Sequence, residues 1–146
     1  MKYGIDIINE EINLSFLRKL EDSNIFIIDF SKIRGNLHGD NLQKKVLLAN
    51  QTKIDVYISI RENLEDSNSL EILRGDSDKE VYFENILKNQ IENIDWKMLK
   101  INNEKKLYLI KNIKSPTIII NISKTYSPRN LEKLINLLVN KLVSIF

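Results

Sequence analysis

Short apolar runs alternate along the chain with stretches of helical periodicity. Six runs rich in Ile, Val, Tyr and Phe predict β-strands at 2–8, 25–30, 54–63, 70–73, 107–110 and 116–122. Apolar residues recurring every three or four positions predict helices at 9–20, from Asp40 onwards, from Ser77 to near Ile91, and from Ser127 to the end of the chain. Several strands are apolar on both faces, as expected when helices cover both sides of a sheet. The pattern predicts one α/β domain over residues 1–146, with three layers and a mixed, mostly parallel sheet of about six strands.

The predicted helix starts carry capping signals. Ser77 is followed three residues later by Glu80, the spacing of a capping box, and Asp40 and Gln43 form a similar pair. Ser127 precedes Pro128, which is the typical order of an N-cap residue and the first helical residue.

The strand at 54–63 is apolar along most of its length and ends in polar residues. Ile54, Val56, Ile58 and Ile60 are predicted to share one face, and Ser59, Arg61 and Asn63 would point together on the other face. Ligands of open α/β sheets bind in the crevice beyond the carboxyl ends of the strands. The sequence therefore predicts a binding site that includes Ser59, Arg61 and Asn63.

Composition excludes several classes of protein. A net charge of +2 over 146 residues, with Lys and Glu interleaved, gives no basic surface for nucleic acid. The absence of Cys excludes disulfides and thiolate metal sites. No apolar run approaches the roughly 20 residues that span a bilayer, and the first strand begins without the basic and apolar regions of a signal peptide. We therefore expect a cytoplasmic protein that does not act in a membrane.

Several blocks of sequence carry a family pattern: NLQKKVLLAN at 41–50 with IDVYISIREN at 54–63, SLEIL at 69–73, LYLIK at 107–111 and PTIIINIS at 116–123. In order and spacing they resemble the catalytic domain of the zinc-dependent N-acetylmuramoyl-L-alanine amidases, the cell-wall hydrolases of bacteria and their phages. The corresponding family patterns are S-L-x-x-R-x-x-x-A-N with A-D-x-x-x-S-I-H-A-N, G-x-E-x-Y, L-Y-V-L-R and P-A-V-L-V-E-x-G. The opening MKYGIDI is also similar to the start of phage-type members, so the resemblance spans nearly the whole chain.

The chain departs from this family at the residues that carry the chemistry. Arg61 stands at the position of a metal-binding His, and Ile8 and Asn9 stand where Gly-His follows the first strand in phage-type members. The loop that usually comes next is missing. Asn121 occupies the position of the catalytic Glu, and Lys45 replaces the Arg of the helix pattern.

For the ligand Glu, Glu11 is the best match, with Glu10 as the second choice. A catalytic zinc needs three protein ligands and an open position for water. The only His of the chain, His38, lies in a predicted loop away from the pattern. A guanidinium would occupy the place of the dication, and the amide of Asn121 cannot deprotonate water. The resemblance therefore implies a degenerate site that has lost its zinc, with no cofactor and no catalytic residues.

Two roles remain open for the residues of this vestigial pocket. Arg61 could fill the vacated volume and pair with Glu11 within about 6 Å, while Asn121 hydrogen-bonds alongside. Alternatively, Arg61 could bind a carboxylate or a phosphate of a ligand. Trp96 is a further candidate binding residue, because it could stack on a sugar or peptide, although a single Trp beside Met98 and Leu99 more often fills a core.

Three functions are compatible with these patterns. The first is an inactive relative of the amidases that binds a peptidoglycan fragment or regulates another protein. The second is an active amidase with substitute metal ligands from Asp6, Glu11, Glu62 or His38, although oxygen ligands suit Mg²⁺ or Ca²⁺ better than zinc. The third is a structural subunit or a remnant of a prophage lysin.

Overall fold

A computed structural model describes residues 2–21, 23, 25–33, 38–63, 69–91, 98–103, 107–123 and 128–145. Strands and helices alternate within these ranges. In chain order they are β1 (Lys2–Ile7), α1 (Glu10–Glu21), β2 (Phe26–Asp29), α2 (His38–Thr52), β3 (Val56–Asn63), β4 (Ser69–Arg74), α3 (Asp78–Ile91), β5 (Met98–Asn103), α4 (Tyr108–Asn112), β6 (Thr117–Ser123) and α5 (Pro128–Ile145). None of the helices in these ranges is long and apolar enough to cross a bilayer.

The strands form one sheet in the order β2-β1-β3-β6-β4-β5. Every neighbouring pair in this sheet is parallel except β4 with β6, which is antiparallel. Strands β1, β3 and β6 occupy the interior and carry almost unbroken apolar runs, as strands covered on both faces do. The predicted mixed, mostly parallel sheet of about six strands is confirmed.

Helices cover both faces of this sheet. On one face α1, α3 and α5 bury Phe16, Phe83 and Leu138 against Ile58 and Ile120. On the other face, α2 and α4 bury Val46, Ala49 and Leu109 against Tyr57 and Ile119. Residues of β3 and β6 thus alternate between two hydrophobic clusters, which confirms the predicted three-layer α/β fold.

The prediction of a strand at 107–110 is wrong, because this segment begins the short helix α4. Leu109 is buried while Tyr108 and Lys111 are exposed, and an apolar run of four residues does not distinguish a strand from a helical turn. The sheet still has six strands, because β5 (Met98–Asn103) forms a strand that was not predicted from the sequence. It lies at the sheet edge and pairs only with β4 among the described strands.

Two local predictions are corrected at helix starts. Helix α2 begins at His38 rather than at Asp40. At α3, the Ser77 hydroxyl accepts a hydrogen bond from the Glu80 backbone N–H at 3.2 Å, as a capping box requires. The Glu80 carboxylate, however, reaches β6 and accepts a bond from the backbone N–H of Thr117 at 2.9 Å. Ser127, the predicted cap of α5, lies outside the described residues.

Strand β3 begins two residues later than predicted, which changes the place of Ile54. Val56, Ile58 and Ile60 pack in the cluster with α1 and α5, as predicted. Ile54 precedes the strand and packs instead with Tyr57 in the cluster under α2. The alternation of faces therefore starts only where the ladder with β1 starts, at Val56.

Candidate functional site

A cavity of about 560 Å³ opens at the carboxyl ends of β1 and β3, beside the first half of α2. We call it the carboxyl-end cavity. Its walls come from the two residues that follow β1 (Ile8, Asn9), from α2 (Asn41, Leu42, Lys45) and from the end of β3 (Arg61, Glu62). This is the edge of the sheet at which open α/β folds bind ligands.

The polar face of β3 leads into this cavity. Ser59 is buried, and its hydroxyl accepts a hydrogen bond from Arg61 Nε at 3.3 Å. Arg61 is half-buried, and its guanidinium continues beyond Ser59 to the cavity wall. Asn63 ends β3 opposite Ser123, and its side chain lies outside the described part of the chain. Ser59 and Arg61 therefore lie on the same face of β3 and are hydrogen-bonded to each other. Of the two, Arg61 lines the cavity.

Behind the cavity, a buried ion pair joins α2 to β1. Lys45 Nζ donates to both carboxylate oxygens of Asp6, at 3.1 and 2.9 Å, and the two residues are 6% and 1% exposed. The Tyr57 hydroxyl donates to the same carboxylate at 2.5 Å. Burial, followed by the negative charge and hydrogen bond of Asp6, raises the pKa of Tyr57, and Arg61 opposes this shift. The carboxylate of Asp6 is thus held by two donors inside the protein.

This pair was not predicted from the sequence, although the sequence contained a signal. Asp6 interrupts an apolar strand, and Lys45 occupies the inward stripe of α2 beside Val46 and Ala49. A charged residue at an apolar position of a helix needs a buried partner. The sequence suggests a role for Asp6 only as a substitute metal ligand.

The ion pair predicted for the vestigial pocket is not formed. Glu11 is exposed and lies on the outer side of α1 beside Ser15 and Arg18. Between the described residues, ion pairs join Lys45 to Asp6 and Arg74 to Glu84, and none joins Arg61 to Glu11. The predicted Arg61–Glu11 pair is therefore wrong.

Asn121 is held by a neighbouring strand. Its Nδ2 donates to Glu71 Oε1 at 2.9 Å, across the antiparallel ladder between β6 and β4. Arg61 stands opposite Asn121 in the parallel ladder between β3 and β6. Asn121 is thus placed next to Arg61 on the sheet, but its amide bonds to Glu71, a residue that the sequence had not singled out as a contact.

The positions that the resemblance assigns to metal ligands do not fit zinc. Asn9 caps α1 by accepting from the backbone N–H of Ile12 at 3.1 Å, and its Nδ2 donates to Glu62 Oε1 at 2.5 Å. An amide used as a cap, the guanidinium of Arg61 and an outward-facing Glu11 do not provide three converging ligands. Within the described ranges, no three His, Cys, Asp or Glu side chains are grouped to hold a metal ion. The side chain of His38 lies outside this description.

Trp96, the remaining candidate binding residue, belongs to residues 92–97, which lie outside the described ranges. Its suggested contact with a sugar or peptide stays a prediction.

The fold that carries this site is the fold of N-acetylmuramoyl-L-alanine amidase catalytic domains. The CwlD amidase from Clostridioides difficile, solved in complex with the GerS lipoprotein, matches with a TM-score of 0.72 at 13% identity, over 99% of this chain and 98% of that one. The catalytic domain of the CD27L endolysin, which targets the same bacterium, matches with a TM-score of 0.68 at 15% identity, over 98% and 96% of the two chains.

A third similar structure is the catalytic domain of CwlV, an N-acetylmuramoyl-L-alanine amidase from Bacillus (Paenibacillus) polymyxa var. colistinus. It matches with a TM-score of 0.68 at 12% identity, over 97% of this chain and 96% of that one. No protein-family model and no curated protein sequence matches the chain. Likeness at this level of identity establishes the fold.

Proposed function

We propose that this protein is a catalytically inactive, zinc-free relative of the N-acetylmuramoyl-L-alanine amidases that acts as a non-catalytic binding or regulatory protein in peptidoglycan metabolism. The observation that carries the proposal is the position of the Arg61 side chain. Its guanidinium extends from the end of β3 into the cavity at the edge of the sheet where such folds bind ligands.

The chemistry of the surrounding side chains supports the loss of hydrolysis. Amide hydrolysis through a metal requires a bound cation, a water of lowered pKa and a general base. A guanidinium repels a cation and keeps its charge at all ordinary pH values. Asn121 offers an amide that is already bonded to Glu71, so no base stands at the position that the resemblance assigns to one.

Retention of the cavity supports a binding role. The cavity volume lies in the range of small-ligand sites, and its walls combine apolar Ile8 and Leu42 with polar Arg61 and Asn41. A regulatory role through a protein partner is the second form of the same proposal. It is favoured by the likeness of this fold to the CwlD amidase, which was solved with a partner protein.

The test combines metal content, cleavage and binding on the purified chain. We expect far less than one zinc per chain after exposure to zinc and dialysis, and no release of stem peptide from soluble muropeptides. The catalytic domain of the CD27L endolysin, treated in parallel, serves as the active control. We also expect muropeptides to bind, as measured by titration calorimetry. One zinc per chain together with released stem peptide would overturn the proposal.

A further inference from the structure

We propose that the carboxyl-end cavity binds the carboxylate of a small aliphatic acid, with Arg61 and Asn41 as its donors and with Ile8 and Leu42 against its aliphatic part. This inference rests on the proposed function and deepens it, because it names the ligand group that the cavity takes.

The first step is the state of the Arg61 guanidinium. Its Nε donates to Ser59. The two terminal nitrogens make no hydrogen bond or ion pair with the described residues. Neither nitrogen is among the buried atoms that lack a partner, so both are exposed. They are therefore accessible from the cavity that Arg61 lines. A guanidinium fixed at Nε with both terminal groups open matches the two oxygens of a carboxylate.

Asn41 supplies a second open donor. Its Oδ1 is buried and has no hydrogen-bond partner among the described atoms. Its Nδ2 also makes no hydrogen bond within that part of the chain, but it is not among the buried atoms. The NH₂ end of the amide is thus the end that faces the cavity. Asn41 also lies in the first turn of α2, where the helix dipole favours a negative group.

The charges around the cavity favour a single negative charge. Lys45 is neutralised by Asp6, and Glu62 on the rim opposes the charge of Arg61. A dianionic phosphate would bring two negative charges to one open cation beside the Glu62 carboxylate, whereas a carboxylate ligand brings one charge to one guanidinium. Exposed Ile8 and the side chain of Leu42 complete a wall that suits an aliphatic group next to the carboxylate.

Titrations of the full chain with N-acetylalanine, in both enantiomers, test this inference. Binding is followed by the amide signals of α2 and β3 in two-dimensional NMR, with N-acetylalanine amide as the neutral comparator and inorganic phosphate as the dianion. We expect at least one enantiomer of the acid to bind about tenfold more tightly than its amide, because the neutral amide cannot form a charge-assisted hydrogen bond with the guanidinium. Phosphate should bind more weakly than the acid.

Three variants locate the binding. Arg61→Gln should weaken binding of the acid about tenfold, and Asn41→Ala should weaken it by a factor of about five, each with a native spectrum. Arg18→Gln is the matched control, because Arg18 is an exposed arginine on the outer side of α1, and binding should be unchanged. Equal binding of acid and amide, tighter binding of phosphate, or equal effects of the two arginine variants would overturn the inference.

Muropeptide binding separates this inference from the proposed function. If muropeptides bind equally to the wild-type protein and to Arg61→Gln, the assignment of the carboxylate to Arg61 is wrong and the binding role stands. If the protein retains zinc and cleaves muropeptides, the proposed function is wrong whatever the outcome with N-acetylalanine.

Discussion

Lys45 and Asp6 form an ion pair from which water is nearly excluded. Removing two charges from water is unfavourable, and the attraction between them offsets this only when each charge is fully hydrogen-bonded. Here the Asp6 carboxylate receives three hydrogen bonds, two from Lys45 and one from Tyr57. The pair joins α2 to β1, and the Lys45 charge is taken up by Asp6.

Asp6→Asn should lower the free energy of unfolding by about 3–5 kcal/mol, because the Lys45 charge would stay buried without a counter-charge. The double variant Asp6→Asn/Lys45→Met should recover part of this loss, since no buried charge remains. Urea unfolding of the two single variants and the double variant gives the coupling energy. Glu132→Gln, an exposed carboxylate on α5, is the control and should change stability by less than about 0.5 kcal/mol. Additive effects of the two substitutions would contradict a direct pair.

Tyr57 gives the protein a specific weakness at alkaline pH. Burial, together with the Asp6 carboxylate, raises the pKa of Tyr57 above its ordinary value of 10.0. The native state therefore keeps a proton that the unfolded chain releases above pH 10. This stability is fully present below the unfolded pKa and is lost as the pH rises above it, at about 1.4 kcal/mol per pH unit for one group.

Tyr57→Phe should accordingly reduce the alkaline slope of unfolding free energy by about 1.4 kcal/mol per pH unit above pH 10. Urea unfolding repeated at pH values from 9 to 11, spaced by about half a pH unit, measures the slope. Tyr108→Phe is the control, because Tyr108 is exposed, and it should keep the wild-type slope. An unchanged slope in Tyr57→Phe would show that this proton is not retained.

At the scale of the elements, long periodic segments were predictable and short ones were not. Helix α1 and strand β3 follow from their apolar spacing to within two residues. The strand predicted wrongly at 107–110 and the strand β5 that was missed have a common physical reason. Leu107 to Ile110 is apolar enough for either state, whereas β5 is an edge strand whose sequence MLKINN carries Lys and Asn and so gives a weak signal.

The contacts of the site were less predictable than its position. The polar end of β3 was evident from alternation, because Ser59 and Arg61 must share a face. The error at Glu11 concerned the face of α1 on which this residue lies. Ile12, Phe16 and Leu20 define its buried face, and Glu11, Ser15 and Arg18 then fall together on the outer one. Helical spacing by itself therefore argues against the Arg61–Glu11 pair.

The partner of Asn121 was not predictable for a different reason. Its partner Glu71 lies on β4, which pairs with β6 in the antiparallel ladder of the described sheet. Because α3, β5 and α4 lie between β4 and β6 in the chain, no short turn fixes which residues of the two strands stand opposite each other. The prediction placed Asn121 beside Arg61, as the ladder shows, but named no partner for its amide.

Glu80 links α3 to β6 and should contribute more stability than an ordinary capping residue. Glu80→Ala leaves the buried N–H of Thr117 without an acceptor, so we expect the free energy of unfolding to fall by about 1–3 kcal/mol. Asn85→Ala, at an exposed position of the same helix, should change it by less than about 0.5 kcal/mol. Urea unfolding with far-UV circular dichroism measures both.

Gly75 provides an independent check on the Glu80 contact. A Cβ atom at position 75 would lie 2.5 Å from Glu80 Oε2, so Gly75→Ala must displace the carboxylate. We expect Gly75→Ala to destabilise the wild type but to have little effect in the Glu80→Ala background. Equal losses in the two backgrounds would mean that the alanine acts through another neighbour.

For the whole molecule, the central strands join the two hydrophobic clusters into one cooperative unit. Along β6, Ile118 and Ile120 enter the cluster beneath α1 and α5, while Ile119 enters the cluster beneath α2 and α4. Along β3, Ile58 and Tyr57 divide in the same way. Neither cluster can lose its sheet wall without exposing the other, so unfolding should occur in a single transition.

Leu138→Ala and Leu109→Ala test this cooperativity from opposite faces of the sheet. Both side chains are almost fully buried, one in each cluster, and each substitution should lower the free energy of unfolding by about 2–5 kcal/mol. Because the sites share no neighbours in the described clusters, the losses should add, with one unfolding midpoint by both tryptophan fluorescence and circular dichroism. Leu47→Ala, at an exposed position on α2, should leave that midpoint nearly unchanged. Two separate midpoints in either core variant would show that the faces unfold independently and that β3 and β6 do not couple them.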